Sequence, residues 1–193
     1  MIMITVVGPQ QPKDLQASAI NTTSRSDTWS RGLSPFFVGP IELYDGRVAA
    51  NMENAWQFTK VYPVHVEDDQ VLQLYWDWAE KGWASNRACR YPMGKGAKPV
   101  FSLWDGERLT YVEARKKIYI PCYAKAVAKT SAFQQLKEMY ESFGQISLWD
   151  FDAYDHRAMG MSWRDVVNSS ERKMGHAFVL AMMLDNQLEE ALQ

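Results

Sequence analysis

The pattern of hydrophobic and polar positions predicts strands near the start of the chain and helices over most of the remainder. Residues 1–7 (MIMITVV) are an apolar run that predicts a strand, and they lack the basic region of a signal peptide. The stretch 36–43 is again rich in strand formers, and Asp45-Gly46 comes next as a tight-turn dipeptide because glycine readily adopts positive φ. With the short run 47–50 after the turn, this stretch predicts a β-hairpin.

Helical spacing governs the chain after Asn51, whose side chain can cap a helix by accepting a backbone N–H of the first turn. The predicted helices run from Asn51 through Lys60, from about Glu67 to Lys81 with Gly82 as the stop, from about Thr110 with a break at Pro121, from Thr130 to Gly144, and from about Asn168 onwards. A few short strands followed by many helices predict an α+β fold, predominantly helical, with a small β-hairpin sheet.

One face of the first predicted helix carries a row of polar side chains. Glu53, Gln57 and Lys60 stand at i, i+4 and i+7, so a carboxylate, an amide and an ammonium are aligned where they can orient a polar ligand. The alternative is an ordinary solvated helix face with one i,i+4 hydrogen bond. Another face carries the residues expected to pack: Met52, Ala55, Trp56 and Thr59.

Length, composition and charge bound the classes of protein. The chain has 193 residues, 47% of them hydrophobic, which is typical of one ordered globular domain. We expect residues 1–32 to form an N-terminal strand and a polar extension, and residues 33–193 to form the domain. The net charge of −2 gives no general surface for nucleic acid or anionic membrane. No run reaches the roughly 18 apolar residues of a membrane span. Cys89 and Cys122 form neither a disulfide framework nor a zinc motif, which favours a reducing cytoplasm.

Residues 83–100 (WASNRACRYPMGKGAKPV) predict an irregular basic loop. Arg87, Arg90, Lys95 and Lys98 stand among glycines and prolines, and such a loop can surround a phosphate with cations and backbone N–H groups. It is not a P-loop, because Gly94-Lys95-Gly96 lacks the required frame. A solvated surface loop is the alternative.

An acidic segment, residues 150–156 (DFDAYDH), comes after a predicted short strand at 146–151. Three aspartates so close together have the hard oxygen ligands that a metal ion prefers, but the EF-hand frame is absent. An acidic loop that caps and turns is the alternative. We expect no metal and no cofactor.

The stretch that begins with Leu33-Ser34, Phe36 and Pro40-Ile41 resembles the opening of the YbiA-like family, also called the NADAR domain. The Asp45-Gly46 turn and the row Glu53, Gln57 and Lys60 match the family's later motifs at the expected distance. Pro35 stands where the family has asparagine. The resemblance covers about residues 33–184 and is patchy in its second half. It implies hydrolysis of an N-glycosidic bond in a ribosylated or ADP-ribosylated, nucleotide-like substrate, without a metal.

The resemblance and the chemistry of the N-glycosidic bond together indicate candidate site residues. Cleavage at an anomeric carbon passes through an oxocarbenium-like transition state that a carboxylate stabilises, which is the role expected of Glu53, with Asp152 as the second carboxylate in the same pocket. The acidic segment matches the family's Asn-Asp-x-x-Trp-Gly only in part, and Tyr111 stands near where the family has a stacking tryptophan. The residues expected to bind substrate are Gln57, Lys60, Arg87, Arg90, Tyr111, Tyr154 and Asp155.

Two rival functions stay open. One is a non-catalytic protein of the same fold that binds a nucleotide or ADP-ribose, which the departures from the family motifs favour. The other is a DNA-directed glycosidase acting on modified or ADP-ribosylated bases; the acidic charge counts against tight binding to duplex DNA but not against a flipped base. The expected partner is a small nucleotide-like molecule, with no membrane and with nucleic acid only as a modified-base substrate.

Overall fold

The computed structural model describes residues 3–193 and confirms the α+β prediction, with 43% helix and 15% strand. The strands are β1 (Met3–Val7), β2 (Ile20–Asn21), β3 (Ile41–Glu42), β4 (Val48–Ala49), β5 (Lys60–Val61), β6 (Val66–Glu67), β7 (Gln70–Val71), β8 (Phe101–Trp104), β9 (Glu107–Leu109) and β10 (Gln145–Trp149). The helices are α1 (Lys13–Ser18), α2 (Met52–Gln57), α3 (Gln73–Ala84), α4 (Tyr111–Ala114), α5 (Ile120–Val127), α6 (Ser131–Phe143), α7 (Trp163–Asn168), α8 (His176–Leu184) and α9 (Leu188–Leu192). No helix within residues 3–193 is both long and apolar enough to cross a membrane.

By packing, the chain divides into two compact units. The first unit comprises the segments up to Pro35 and Tyr123–Gln193, and the second comprises Phe36–Cys122. The predicted domain limits, 1–32 and 33–193, rest on sequence character and stay a prediction.

The first unit is built on a parallel sheet of three strands in the order β1-β10-β2. The register pairs Met3 with Gln145 and Val7 with Trp149. Helix α8 packs against β1 and β10, and its residues Ala177–Met182 are buried. The polar stretch 8–32 is more ordered than a loop, since it contains α1, β2 and a 3₁₀ turn at Trp29–Leu33 that packs on α6.

The capping signals of the first unit are confirmed for α6 and wrong for the last helices. The Thr130 side chain caps α6 by accepting from the backbone N of Phe133, and Gly144 ends the helix with a left-handed φ of 66°. The helix expected from about Asn168 instead ends there, as α7. Helix α8 begins at His176, and Gly175 precedes it where a Cβ would lie 2.1 Å from the Asp150 carboxylate.

The second unit contains two antiparallel hairpins and a three-stranded sheet in the order β5-β8-β9. The hairpin predicted around Asp45-Gly46 is confirmed as β3 and β4, although both strands are only two residues long. The helix expected from Glu67 begins six residues later, because Asp68 and Asp69 have left-handed φ values of 45° and 61° and turn the chain into the β6–β7 hairpin. That left-handed conformation is incompatible with a right-handed helix.

Gly82 does not stop α3, contrary to the sequence prediction. The helix continues to Ala84, and a Cβ at Gly82 would lie 2.1 Å from the ring of Phe58. The glycine therefore serves close packing between α3 and the end of α2.

The break predicted at Pro121 is confirmed as a change of helix type. Between α4 and α5 lies a π-helical turn, Arg115–Tyr119, in which the backbone N of Ile120 donates to the carbonyl of Arg115. Proline has no N–H to donate and its ring crowds the carbonyl four residues earlier, so a wider turn ahead of Pro121 accommodates it.

Candidate functional site

Helix α2, which is six residues long, carries the candidate carboxylate, Glu53. The Asn51 side chain accepts from the backbone N of Asn54 at 2.9 Å, which confirms the predicted cap. The helix ends at Gln57, so the expectation that Lys60 lies on it is wrong. Lys60 instead pairs with Ser102 in the sheet, and this strand pairing draws the chain away from the helix path.

The three polar side chains still form a hydrogen-bonded row, although Lys60 lies on a strand and not on the helix. Lys60 Nζ donates to Gln57 Oε1 at 2.7 Å, and Gln57 Nε2 donates to Glu53 Oε1 at 2.9 Å. These two partners fix the orientation of the amide, because a flipped amide would put its NH₂ against the ammonium and its oxygen against the carboxylate. Glu53 and Gln57 are each only 8% exposed, so the row is held at the edge of the core rather than on a solvated face.

Aromatic rings border this row on one side. The Trp56 ring lies 6.2 Å from that of Tyr111 and 5.2 Å from that of Tyr119, between centroids. Lys60 Nζ lies 4.8 Å from the Trp56 centroid, and Arg115 Cζ lies 4.7 Å from the Tyr111 centroid. Tyr111 is 41% exposed, so it provides an aromatic surface open to solvent beside a buried carboxylate.

Three residues beside the row were not predicted to border it: Trp56, Tyr119 and Arg115. Trp56 packs against a buried cluster as expected, and its half-buried ring also lies between the row and Tyr111. Arg115 is 2% exposed, and it begins the π-helical turn where a helical pattern gives no signal. Within the run Arg115-Lys116-Lys117 nothing in the sequence distinguishes the buried cation from its half-buried and exposed neighbours.

The basic loop after α3 is attached to α2 at its beginning. The buried Asn54 side chain donates through Nδ2 to the carbonyls of Ser85 (2.8 Å) and Arg87 (3.1 Å), and its Oδ1 accepts from the backbone N of Cys89 (2.9 Å). Arg87 is exposed, whereas Arg90 is half-buried and lies with its Cζ 5.6 Å from the Tyr91 ring centroid. The predicted irregular loop is confirmed, and Asn54, which the sequence reasoning missed, holds it.

The remaining predicted residues lie in the first unit, after β10. Asp152 is half-buried, and its backbone N donates to Asp150 Oδ1 at 3.3 Å. The Tyr154 ring contacts Phe178 at 4.8 Å between centroids. Asp155 Oδ1 accepts from the backbone N of Ala158 at 3.0 Å, so this side chain stabilises a turn. The prediction that Glu53 and Asp152 share a pocket stays a prediction.

Beside Asp152 lies a buried ion pair that sequence reasoning also missed. His176 Nδ1 lies 2.9 Å from Asp150 Oδ2, and His176 Nε2 lies 2.8 Å from the carbonyl of Thr22. A carboxylate and a carbonyl both accept, so both ring nitrogens carry hydrogen and the ring is an imidazolium. Burial raises the pKa of Asp150, but the charge and hydrogen bond of His176 and the backbone N–H groups of Ala177 and Asp152 outweigh it and lower the pKa to about 2.

A second buried histidine of the first unit has the opposite character. The His156 ring stacks on Trp163 with centroids 4.2 Å apart. Burial and the nearby Arg157 lower the pKa of His156 to about 4, although the charge of Asp155 opposes them. Its ring is therefore neutral at pH 7, in contrast to the imidazolium of His176.

The described residues contain no metal-binding cluster, and a surface groove is lined by residues of the first unit. Within residues 3–193, no group of three or more histidine, cysteine, aspartate or glutamate side chains is arranged to hold a metal ion. A surface groove of about 770 Å³ in the first unit is lined by Phe133, Tyr140, Met183 and Leu188, among others. Cys89 and Cys122 form no disulfide.

The structure thus brings Glu53, Gln57, Lys60 and Tyr111 together in the second unit, with the beginning of the basic loop attached to the same helix. It places Asp152, Tyr154 and Asp155 along one segment of the first unit. The candidate site that the described contacts support is therefore the row on α2 and its aromatic border.

Comparison with known proteins identifies a family. No curated protein and no solved structure matches the chain. The profile of a family of unknown function, DUF6939, matches residues 10–159, a range that includes the row on α2, the basic loop and the acidic segment. Since this match covers more than half of its length, the chain belongs to the DUF6939 family.

Proposed function

We propose that the protein is a hydrolase that cleaves the N-glycosidic bond of a ribosylated or ADP-ribosylated, nucleotide-like substrate. The observation that carries the proposal is the hydrogen-bonded row Glu53–Gln57–Lys60, which is nearly buried and bordered by aromatic rings. The resemblance of the same stretch to the YbiA-like family supports the reaction class.

Glu53 is the proposed catalytic carboxylate. Positive charge develops on the sugar ring as the bond to the base breaks, and a carboxylate in a partly desolvated site stabilises that charge or activates the attacking water. At 8% exposure Glu53 has lost most of its competing hydration, while one of its oxygens is already oriented by the amide of Gln57.

Gln57 and Lys60 hold Glu53 in this orientation. The Lys60 ammonium polarises the Gln57 amide, and the amide donates to Glu53, so the effect of the positive charge reaches the carboxylate through the amide. The ammonium and the amide also offer polar contacts to the hydroxyls of a bound ribose.

Tyr111 and the basic loop are the proposed contacts to the rest of the substrate. The exposed ring of Tyr111, extended by Trp56, provides a face on which a planar base can stack. Arg87 and Arg90, on the loop attached to α2, are the proposed partners of a phosphate or pyrophosphate group.

Roles for Asp152, Tyr154 and Asp155 come from the resemblance alone. We propose Asp152 as the second carboxylate, which holds the ribose or positions water, and Tyr154 and Asp155 as substrate contacts. Water is the second reactant, and Glu53 and Asp152 are the groups proposed to activate it, so we expect the reaction to use neither a cofactor nor a metal. A small nucleotide-like metabolite is the proposed partner and the cytoplasm the proposed location, consistent with two cysteines that form no disulfide.

The test is release of base or sugar followed by chromatography. The purified protein is incubated separately with ribosylamine intermediates, with ADP-ribosylated guanine nucleotides and with a DNA oligonucleotide carrying ADP-ribosylated bases. Release from either nucleotide-like substrate supports the proposal, and release from DNA alone supports the DNA-directed rival. Binding of ADP-ribose by calorimetry without turnover of any of the three would overturn the hydrolase and favour the non-catalytic binder.

A further inference from the structure

One buried side chain, Asn54, connects the helix of the candidate carboxylate to the basic loop. Asn54 is fully buried on α2, immediately after Glu53. Its amide makes hydrogen bonds with three backbone groups of the loop, the carbonyls of Ser85 and Arg87 and the N–H of Cys89, at 2.8–3.1 Å. Both donor hydrogens and one acceptor lone pair are thereby used toward one five-residue segment.

The loop beyond these bonds is largely open to solvent. Within the attached segment the Ser85 hydroxyl contacts the backbone N of Arg87 at 3.2 Å and its carbonyl at 3.3 Å. Asn86 and Arg87 are exposed, and from Gly94 to Val100 every residue is exposed. A loop with few buried apolar contacts opens locally at low free energy unless buried hydrogen bonds hold it.

Asn54 itself is rigidly placed. Its backbone N is bound by the cap residue Asn51, and just before the helix the backbone N of Ala50 donates to the carbonyl of Trp83 at 2.8 Å. The beginning of α2 and the end of α3 are therefore joined next to the loop attachment. A displacement of the loop requires either rotation of a buried side chain or the loss of three hydrogen bonds.

We infer that Asn54 is a positioning residue, which fixes Arg87 and Arg90 relative to Glu53 so that the loop can hold the phosphate portion of a substrate. The inference rests on the proposed function for the ligand, but the attachment itself is independent of any activity. An aspartate at this position is isosteric and keeps the acceptor for Cys89, yet it cannot donate to Ser85 and Arg87 and places negative charge against their carbonyls.

Limited trypsin digestion tests the attachment. Arg87 and Arg90 are cleavage sites within or next to the attached segment, Lys95 is a site in the exposed part of the same loop, and Lys129 reports opening of the first unit. We expect Asn54→Ala to accelerate cleavage at Arg87 and Arg90 by about tenfold relative to Lys95, with Lys129 unchanged. The matched control, Asn86→Ala, replaces an exposed asparagine of the same loop and should leave all four rates as in the wild type. Asn54→Asp keeps the side-chain volume and the acceptor for Cys89 but turns a buried carboxylate toward the carbonyls of Ser85 and Arg87, so it should accelerate cleavage at Arg87 and Arg90 at least as much as alanine. It serves if the alanine variant does not fold.

Calorimetric titration with inorganic pyrophosphate tests the positioning role. We expect about tenfold weaker binding to Asn54→Ala than to the wild type, and unchanged binding to Asn86→Ala. Unchanged cleavage in both Asn54 variants would overturn the attachment. Faster cleavage with unchanged pyrophosphate binding, or a wild type that binds no pyrophosphate, would overturn the positioning role. The proposed hydrolysis is judged separately by base release, so the two can fail independently.

Discussion

Two polar clusters described above, the pair Asp150–His176 and the row Glu53–Gln57–Lys60, differ in how far their side chains are buried. In the first unit, Asp150 and His176 are both about 95% buried and bind one another and nearby backbone groups. In the second unit, the row from Glu53 to Lys60 passes from a nearly buried carboxylate to a half-buried ammonium beside exposed aromatic surface. The first cluster is enclosed by the fold, whereas the second extends from the edge of the core to half-buried and exposed side chains.

This difference separates structural from chemical roles. A buried charge pair is costly to break because removal of one partner leaves the other uncompensated in a region of low dielectric constant. A carboxylate at the edge of the core keeps part of its hydration and can change partners when a substrate enters. We therefore expect substitutions in the first cluster to lower stability, and substitutions of Glu53 to lower activity.

The largest loss of stability is expected for Asp150→Asn. The substitution leaves the His176 imidazolium without its counter-charge, and we expect the free energy of unfolding to fall by about 3–5 kcal/mol. Urea denaturation measures it. The matched control is Asp155→Asn in the same segment, whose amide oxygen can still accept from Ala158 and whose effect should stay below about 1 kcal/mol. Equal shifts for the two variants would contradict a structural role for the pair.

A smaller loss is expected in the packing behind the row, for Gly82→Ala. The added methyl group would meet the Phe58 ring at 2.1 Å, so either the ring or α3 must move, and overpacking of this kind costs about 1–3 kcal/mol. Thermal or urea unfolding measures the change, with Lys81→Ala on the exposed side of the same helix as the control. If the two variants are equally stable, the space beside Gly82 is larger than the structure shows.

The pKa values of His156 and Asp150 predict two acidic pH ranges in which the free energy of unfolding falls. Since the folded pKa of His156, about 4, lies below the unfolded value of 6.5, the unfolded chain takes up the proton first and stability falls as the pH drops through this range. The folded pKa of Asp150, about 2 against 3.8, adds a further loss of about 2 kcal/mol below pH 3.8. Urea denaturation at a series of pH values measures this dependence. His156→Gln should remove the pH dependence of the free energy of unfolding only in the upper range, and Asp150→Asn should remove it in the lower range.

The smallest expected effect is that of metal removal. Because the proposed reaction uses carboxylates and water, exhaustive EDTA treatment should leave the rate of base release unchanged. Loss of activity that returns only with an added divalent ion would revive a metal site at the acidic segment 150–156.

Features that depend on one residue's backbone preference, or on its side-chain hydrogen bond to the adjacent turn, are predicted well from the sequence. They include the hairpin turn at Asp45-Gly46, the caps at Asn51 and Thr130 and the break at Pro121, and all are confirmed. Gly82 shows the limit, since a glycine that permits close packing has the same appearance in a sequence as one that ends a helix. Tertiary contacts decide which of these two roles a glycine has, and the local sequence pattern does not show those contacts.

The candidate site shows the same division. The row on α2 is foreseeable from spacing, yet its last member, Lys60, reaches it from a strand rather than from the helix. Asn54 and the pair of Asp150 with His176 depend on contacts across 26 to 154 positions of sequence, and no local pattern predicts them.

The role of Glu53 is tested most directly by comparing wild type and Glu53→Gln for both rate and stability, with the substrate that the wild type cleaves best. The amide keeps the size and one acceptor of the carboxylate but loses the negative charge that we propose stabilises the transition state. We predict a fall in the rate of base release by a factor of about 10²–10⁴, with the free energy of unfolding changed by less than about 1 kcal/mol and ADP-ribose still bound. Release at the wild-type rate by a folded Glu53→Gln protein would show that Glu53 is not the catalytic carboxylate.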